Sequence, residues 1–141
     1  MWFDIRKATI CLGVMAVLAG AAQPGAAQPG TLEENFSPTY QKCMEASGGV
    51  TVAMLDCGAA EYRTLDAELN AAYRGASANL TPDQRNLLRN TQRAWLAHRD
   101  ATCSFMTGLR DRGTMASLSD QSCLLKATAE RTKWLKDLSP P

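Results

Sequence analysis

Apolar side chains recur at three- and four-residue steps along most of this chain, which is the spacing of helices with one buried face. The pattern is most distinctive around Gln92–Cys103, QRAWLAHRDATC. Leu88, Thr91, Trp95, Thr102, Met106 and Leu109 share a face there, and Gln92 and Arg99 fall inside the same stripe. A buried arginine is costly unless a carboxylate or several carbonyls meet it, so this face should pack on a neighbour that supplies a polar partner. The start of this helix is sharply marked. Thr81-Pro82-Asp83-Gln84 provides an N-cap hydroxyl, a proline at the first helical position, an acid near the positive helix end and a capping-box glutamine. The pattern continues to about Asp111, and Gly113 is the expected stop.

Before it, a first long helix is expected from Val50 or Thr51 to Ala78. Leu55, Ala59, Tyr62, Leu65, Leu69, Tyr73 and Ala76 form its stripe, and Glu61, Arg63, Glu68 and Arg74 lie mostly outside. Gly58 falls in the stripe, where it weakens the helix slightly but lets a neighbour come close. Asp66 and Asn70 border the stripe and are the polar residues expected to face inward. A short helix over Tyr40–Ala46 should end at Ser47-Gly48-Gly49. The last helix should begin between Thr114 and Ser119 and run to about Asp137. Its stripe is Leu124, Ala127, Thr128, Arg131, Leu135 and Leu138, with Trp134 beside it. No strand pattern and no internal repeat competes with this reading. The expected fold is all-α: a short N-terminal helix and three long helices in an antiparallel bundle, pinned by two disulfides.

Short turns make successive helices antiparallel neighbours, so residues can be matched by height. From a turn near position 80, Asp66 lies 14 residues before and Trp95 lies 15 after. From a turn near 113, Trp95 and Arg131 each lie 18 residues away. Asp66, Asn70, Gln92, Arg99 and Arg131 are thereby expected to form one buried polar layer beside Trp95. A structural ion-pair network outweighs a catalytic cluster as its explanation. On this reading, losing Arg99 or Asp66 alone leaves a partner charge buried and costs ~3 kcal/mol.

Composition adds the compartment. The segment 1–27 has a basic start at Arg6 and Lys7, an apolar run over Ala8–Gly20 and a small-residue end. That order reads as a secretory signal peptide, cleaved after Ala22 or Ala27, and the run is too short for a comfortable membrane span. Cys11 sits inside the run rather than after it, so a lipoprotein is the lesser reading. Residues 28–39 read as a flexible lead, and 40–138 as the domain. Fifteen basic and fourteen acidic residues become thirteen of each once Arg6, Lys7 and Asp4 are removed. Such a balance argues against nucleic acid as a partner, and nothing implies stable membrane insertion after cleavage. A periplasmic or secreted protein is expected.

Four cysteines remain: Cys43, Cys57, Cys103 and Cys123. An even count in a small exported chain reads as two disulfides. Cys103 and Cys123 each stand 10 residues from the second turn, whereas Cys57 and Cys103 each stand 23 from the first. Cys43–Cys57 with Cys103–Cys123 is favoured, because both close short segments beside a glycine-bearing turn. Cys57–Cys103 with Cys43–Cys123 remains the alternative.

Motifs for catalysis are sparse. There is no phosphate-binding glycine loop, no nucleophile elbow and no paired-histidine metal motif, and neither a cofactor nor a metal is implied. His98, the single histidine, borders the Trp95 stripe with no nucleophile in register, and reads as a partly exposed structural residue. Glu61 and Asp66 are five positions apart and point in different directions, unlike a glycosidase carboxylate pair.

In order, Cys43, Met54, Cys57, Tyr62, Asp66, Leu69-Asn70, Tyr73, QRAWLAHRDATC, Gly113, Cys123 and Arg131 resemble the lysozyme-inhibitor LprI-type N-terminal domain, a bacterial exported family. The likeness covers about Gln41 to Leu138, and Gln92, Trp95, Arg99, Asp100 and Cys103 are its most specific part. It implies a non-enzymatic binding protein that inhibits lysozyme by protein–protein contact. A cell-envelope interaction or stress module with a different protein partner is the alternative, because a shared domain does not guarantee a shared activity. The turn segment 107–119 would then be the contact, with Arg110 and Arg112 as candidate partner-binding residues. These arginines also complement the negative end of their own helix.

Overall fold

The structure, a computed structural model, describes residues 36–109 and 113–138. The segment read as a signal peptide and the candidate residues Arg110 and Arg112 lie outside the described residues. Four helices make up the domain: α1 Pro38–Ala46, α2 Thr51–Ala78, α3 Pro82–Gly108 and α4 Thr114–Asp137. Among the described residues there is no strand. None of their helices is long and apolar enough to cross a membrane.

Local chemistry accounts for the helix ends. Gly48 (φ 56°) and Gly49 (φ 80°) take the left-handed conformations that turn the chain from α1 into α2. At the start of α3 the capping box is complete. The Gln84 amide donates to Thr81 Oγ1 at 3.3 Å, and the Thr81 amide donates to Gln84 Oε1 at 2.9 Å. At the other end of the domain, Ser37 caps α1 and Pro38 occupies its first turn. Residues 36–39, read from sequence as part of a flexible lead, therefore belong to the packed domain. Phe36 is buried and meets the ring of Tyr40 edge-on at 5.3 Å.

The α4 helix is the centre of the bundle. It packs along α2 on one side and α3 on the other, and α2 and α3 meet only sparsely. Gln121 Nε2 donates to the Leu55 carbonyl near one end, while Lys136 pairs with Glu68 near the other, so α2 and α4 run in the same direction. Thr107 meets Asp120 and Arg131 meets Gln92, so α3 runs opposite to α4. Gly58 makes room for the side-chain amide of Gln121, which a Cβ there would displace.

Two apolar clusters form the core. Leu69, Ala72, Ala76, Leu88 and Leu135 fill the end near the α2–α3 turn, and Phe36, Leu65 and Leu125 lie beneath α1. Between them, buried Thr128 and Thr132 satisfy their hydroxyls on the carbonyls of Leu124 and Thr128, at 2.7 and 2.8 Å.

Several expected faces are rotated. On α3 the inward strip is Leu88, Gln92, Trp95, Arg99, Cys103 and Thr107, while Thr91, Thr102, Met106 and Leu109 are exposed. A helix supported essentially by one neighbour buries only a narrow strip. On α4 the buried line is Ala116, Leu125, Thr128, Thr132 and Leu135, and Leu138 is exposed. On α2, Glu61 lies inside the stripe and is only 4% exposed. The disulfides are Cys43–Cys57, tying α1 to α2 with Cα atoms 5.7 Å apart, and Cys103–Cys123, tying α3 to α4 at 5.6 Å. Each contributes ~3 kcal/mol by restricting the unfolded chain.

Candidate functional site

Three helices contribute to one row of cations and rings. Trp95 and Arg99 are one turn apart on α3, Arg131 and Trp134 follow at a three-residue step on α4, and Tyr62 faces them from α2. The Arg99 guanidinium carbon lies 6.0 Å from the Tyr62 ring centroid and 5.1 Å from that of Trp95. The Arg131 carbon lies 5.5 Å from Trp95 and 4.0 Å from Trp134. Cation and ring thus alternate as Tyr62, Arg99, Trp95, Arg131, Trp134, with each contact worth ~0.5–2 kcal/mol according to its desolvation.

The two arginines differ in their partners. Arg99 is 9% exposed and well met. Its Nε and Nη2 reach Asp100 Oδ1 at 2.9 and 2.7 Å, and its Nη1 donates to the Tyr62 hydroxyl at 3.2 Å. Arg131 has one acceptor, Gln92 Oε1, at 2.9 Å from its Nε. Its Nη2 is buried without a partner, and among the described residues no carboxylate lies within ion-pair distance of it. Burial holds its pKa below the usual arginine value. A guanidinium nonetheless remains a cation at any ordinary pH.

Asp66 and Asn70 do not join this row. Asn70 Nδ2 donates to the Asp66 carbonyl at 2.8 Å and to Asp66 Oδ2 at 3.1 Å, on an outward-facing part of α2. The buried line of α2 is Leu65, Leu69, Ala72 and Ala76, and Asp66 sits one ~100° step round from it. In the place assigned to Asp66, α2 contributes Tyr62, and the carboxylate on Arg99 is that of its chain neighbour Asp100. His98 is exposed at the edge of the row.

Sequence reasoning missed the role of Glu61. It receives the Ser37 amide at 2.8 Å and the Ser37 hydroxyl at 2.6 Å, while Ser37 Oγ accepts from the Tyr40 amide at 3.0 Å. A carboxylate thus holds the cap of α1 and sits at the positive end of that helix. The signal was present in Ser37-Pro38, a cap followed by a first-turn proline.

Two further features lie toward the α3–α4 turn. A groove of about 940 Å³ opens between α2 and α3 above α4, lined by Tyr62, Asp100, Thr107, Asp120, Gln121 and Leu124 among others. Phe105, Met106 and Leu109 at the end of α3 and Met115 at the start of α4 are exposed, from 47% to 67%. Among the described residues no group of three or more His, Cys, Asp or Glu side chains is placed to hold a metal ion.

A family model described as lysozyme inhibitor LprI matches residues 43–135, a span that includes both disulfides and the whole row from Tyr62 to Trp134. The uncharacterized protein R02472 of Rhizobium meliloti is 33% identical over 96 residues, 58% of this chain and 68% of that protein. The uncharacterized protein YecT of Escherichia coli is 35% identical over 115 residues, 69% of this chain and 68% of that one. No solved structure matches. The chain belongs to the lysozyme inhibitor LprI family.

Proposed function

We propose that this chain is an exported, non-enzymatic binding protein that inhibits lysozyme by protein–protein contact, in the periplasm or after secretion. The family match over residues 43–135 carries the reading. The compartment is supported by the two disulfides, which persist outside the cytoplasm, and by the signal-like order of residues 1–27.

The contact surface in this proposal is the α3–α4 end. Four large apolar side chains, Phe105, Met106, Leu109 and Met115, are exposed within eleven residues of sequence. An aromatic ring and methionines are residue types enriched at interface cores. Arg110 and Arg112 fall between Leu109 and Met115 in the sequence. The Cys103–Cys123 bridge ties α3 to α4, which lowers the ordering cost of binding at this end. Lysozyme cleaves with two carboxylates in a cleft, and a guanidinium is a suitable group to meet them.

The test is lysis of a cell-wall suspension by lysozyme with the purified mature chain added. Slower lysis is expected, and Arg110→Ala with Arg112→Ala should weaken it without lowering Tm. Unchanged lysis at excess protein overturns the lysozyme reading and favours an envelope module with another partner. Full inhibition by the double variant moves the contact to the opposite end, around Ala76–Thr81.

A further inference from the structure

Helices α2 and α3 both pack on α4 but barely touch each other. Two helices held against a third leave a valley between them, and in a four-helix bundle a further helix packs there. In this chain the valley is the groove of about 940 Å³. It runs beside residues 100–108 of α3, which is ~12 Å at the helical rise, or about two turns.

The charge in the groove is of one sign. Leu55 and Ala59 of α2, with Ala116 and Leu124 of α4, give it an apolar bed. The described residues that line it include two aspartates, Asp100 and Asp120, and no lysine, arginine or histidine. Asp120 is half-buried and accepts from the Thr107 hydroxyl at 3.1 Å. Among the described residues no cation lies within ion-pair distance of it. Asp100 meets Arg99 through Oδ1, and its side chain is 62% exposed. Even with Arg99 counted, two carboxylates face one cation, so the groove is net negative. A carboxylate beside apolar surface is best met by a lysine or arginine, whose alkyl stem covers that surface while its charge reaches the acid.

We infer that this groove docks a basic amphipathic helix of a partner protein, with its apolar side on the bed and its cations on Asp120 and Asp100. Docking here is independent of the lysozyme reading, because the groove selects a kind of segment rather than a named protein. Slower or unchanged lysis therefore leaves it standing.

Amide chemical-shift titration of the purified chain tests it, with an amphipathic peptide of about fifteen leucine and lysine residues as the probe. Saturable shifts are expected at Ala59, Gly108 and Ala116, which line the groove. The same peptide with glutamate for lysine, or with serine for leucine, should bind about tenfold more weakly, since charge match or apolar burial is lost. Ala59→Lys places a cation in the groove at an exposed position of α2 and should weaken binding about tenfold with unchanged circular dichroism. Asp120→Asn, which keeps an acceptor for Thr107, should weaken it about threefold. Glu130→Gln, an equal change of charge at an exposed position outside the groove, should bind as the parent does. The proposal is overturned by the absence of saturable binding, or by shifts confined to the exposed Phe105, Met106 and Met115. Equal binding of the glutamate peptide, or undiminished affinity in either folded groove variant, overturns it as well. Groove shifts that follow the concentration of the chain alone would assign the groove to a second copy, against the proposal.

Discussion

Glu61 offers the sharpest test of how α1 is held. Its carboxylate is 4% exposed and takes two hydrogen bonds from Ser37, one from the amide at 2.8 Å and one from the hydroxyl at 2.6 Å. The same hydroxyl accepts from the Tyr40 amide. Hydrogen bonds to a charged acceptor contribute about 1.5–3 kcal/mol each, and a stranded donor adds a desolvation cost. Glu61→Ala removes both bonds, and with part of the loss recovered by rehydration of Ser37 it should cost about 3 kcal/mol. Ser37→Ala removes the cap as well as one of the Glu61 bonds, and should cost about 2.5 kcal/mol. The hydroxyl–carboxylate bond is common to both losses. A double-mutant cycle should therefore return a coupling energy of about 1.5 kcal/mol, the double variant losing less than the two singles together. Urea unfolding of the four proteins measures this, and hydrogen exchange at the Tyr40 amide reports whether α1 opens first. Because the Cys43–Cys57 bridge keeps α1 tethered to α2, exchange at Tyr40 should accelerate more than exchange in the middle of α2. Additivity within about 0.4 kcal/mol would refute the argument, since that is the behaviour of sites that share no interaction.

Two further substitutions test the packing. Arg99→Leu should cost about 1.5 kcal/mol in urea unfolding, for one hydrogen bond to Tyr62 and its ring contacts, rather than the ~3 kcal/mol of a buried stranded charge. Its ion-pair partner Asp100 is 62% exposed and rehydrates when released. A loss of 3 kcal/mol or more would show that Asp100 is far less hydrated than that. Gly58→Ala should change stability by less than about 0.5 kcal/mol, since the gain in helix propensity offsets the hydrogen bond from Gln121 to the Leu55 carbonyl. The displaced Gln121 end has room in the groove it lines. A loss above about 2 kcal/mol would mean that the two helices themselves are forced apart.

Helix number and most helix ends were legible in the sequence because their causes are local; α1 begins at Pro38 rather than Tyr40, and α3 ends at Gly108 rather than about Asp111. Thr81, Pro82 and Gln84 act on one another within a single turn, and Gly48 and Gly49 break α1 through their own backbone freedom. The disulfide pairing was legible in part: equal heights allowed Cys57–Cys103 as well as Cys103–Cys123, and the short segments beside glycine-bearing turns favoured the pairs observed. The facing of each helix was less legible. Periodicity locates an apolar stripe, but how a helix rotates about its axis depends on what packs against it. One ~100° step separates Asp66 from the buried line of α2 and leaves it bonded to Asn70. Glu61 turned inward because α1 brings a cap that needs an acceptor, a demand placed by a segment twenty-four residues away. Arg99 took its carboxylate from the adjacent Asp100, and Arg131 took two indole rings and a glutamine. Composition and spacing place a charge on a face. Which partner meets it there is decided by distances between helices, and those exist only once the chain has packed.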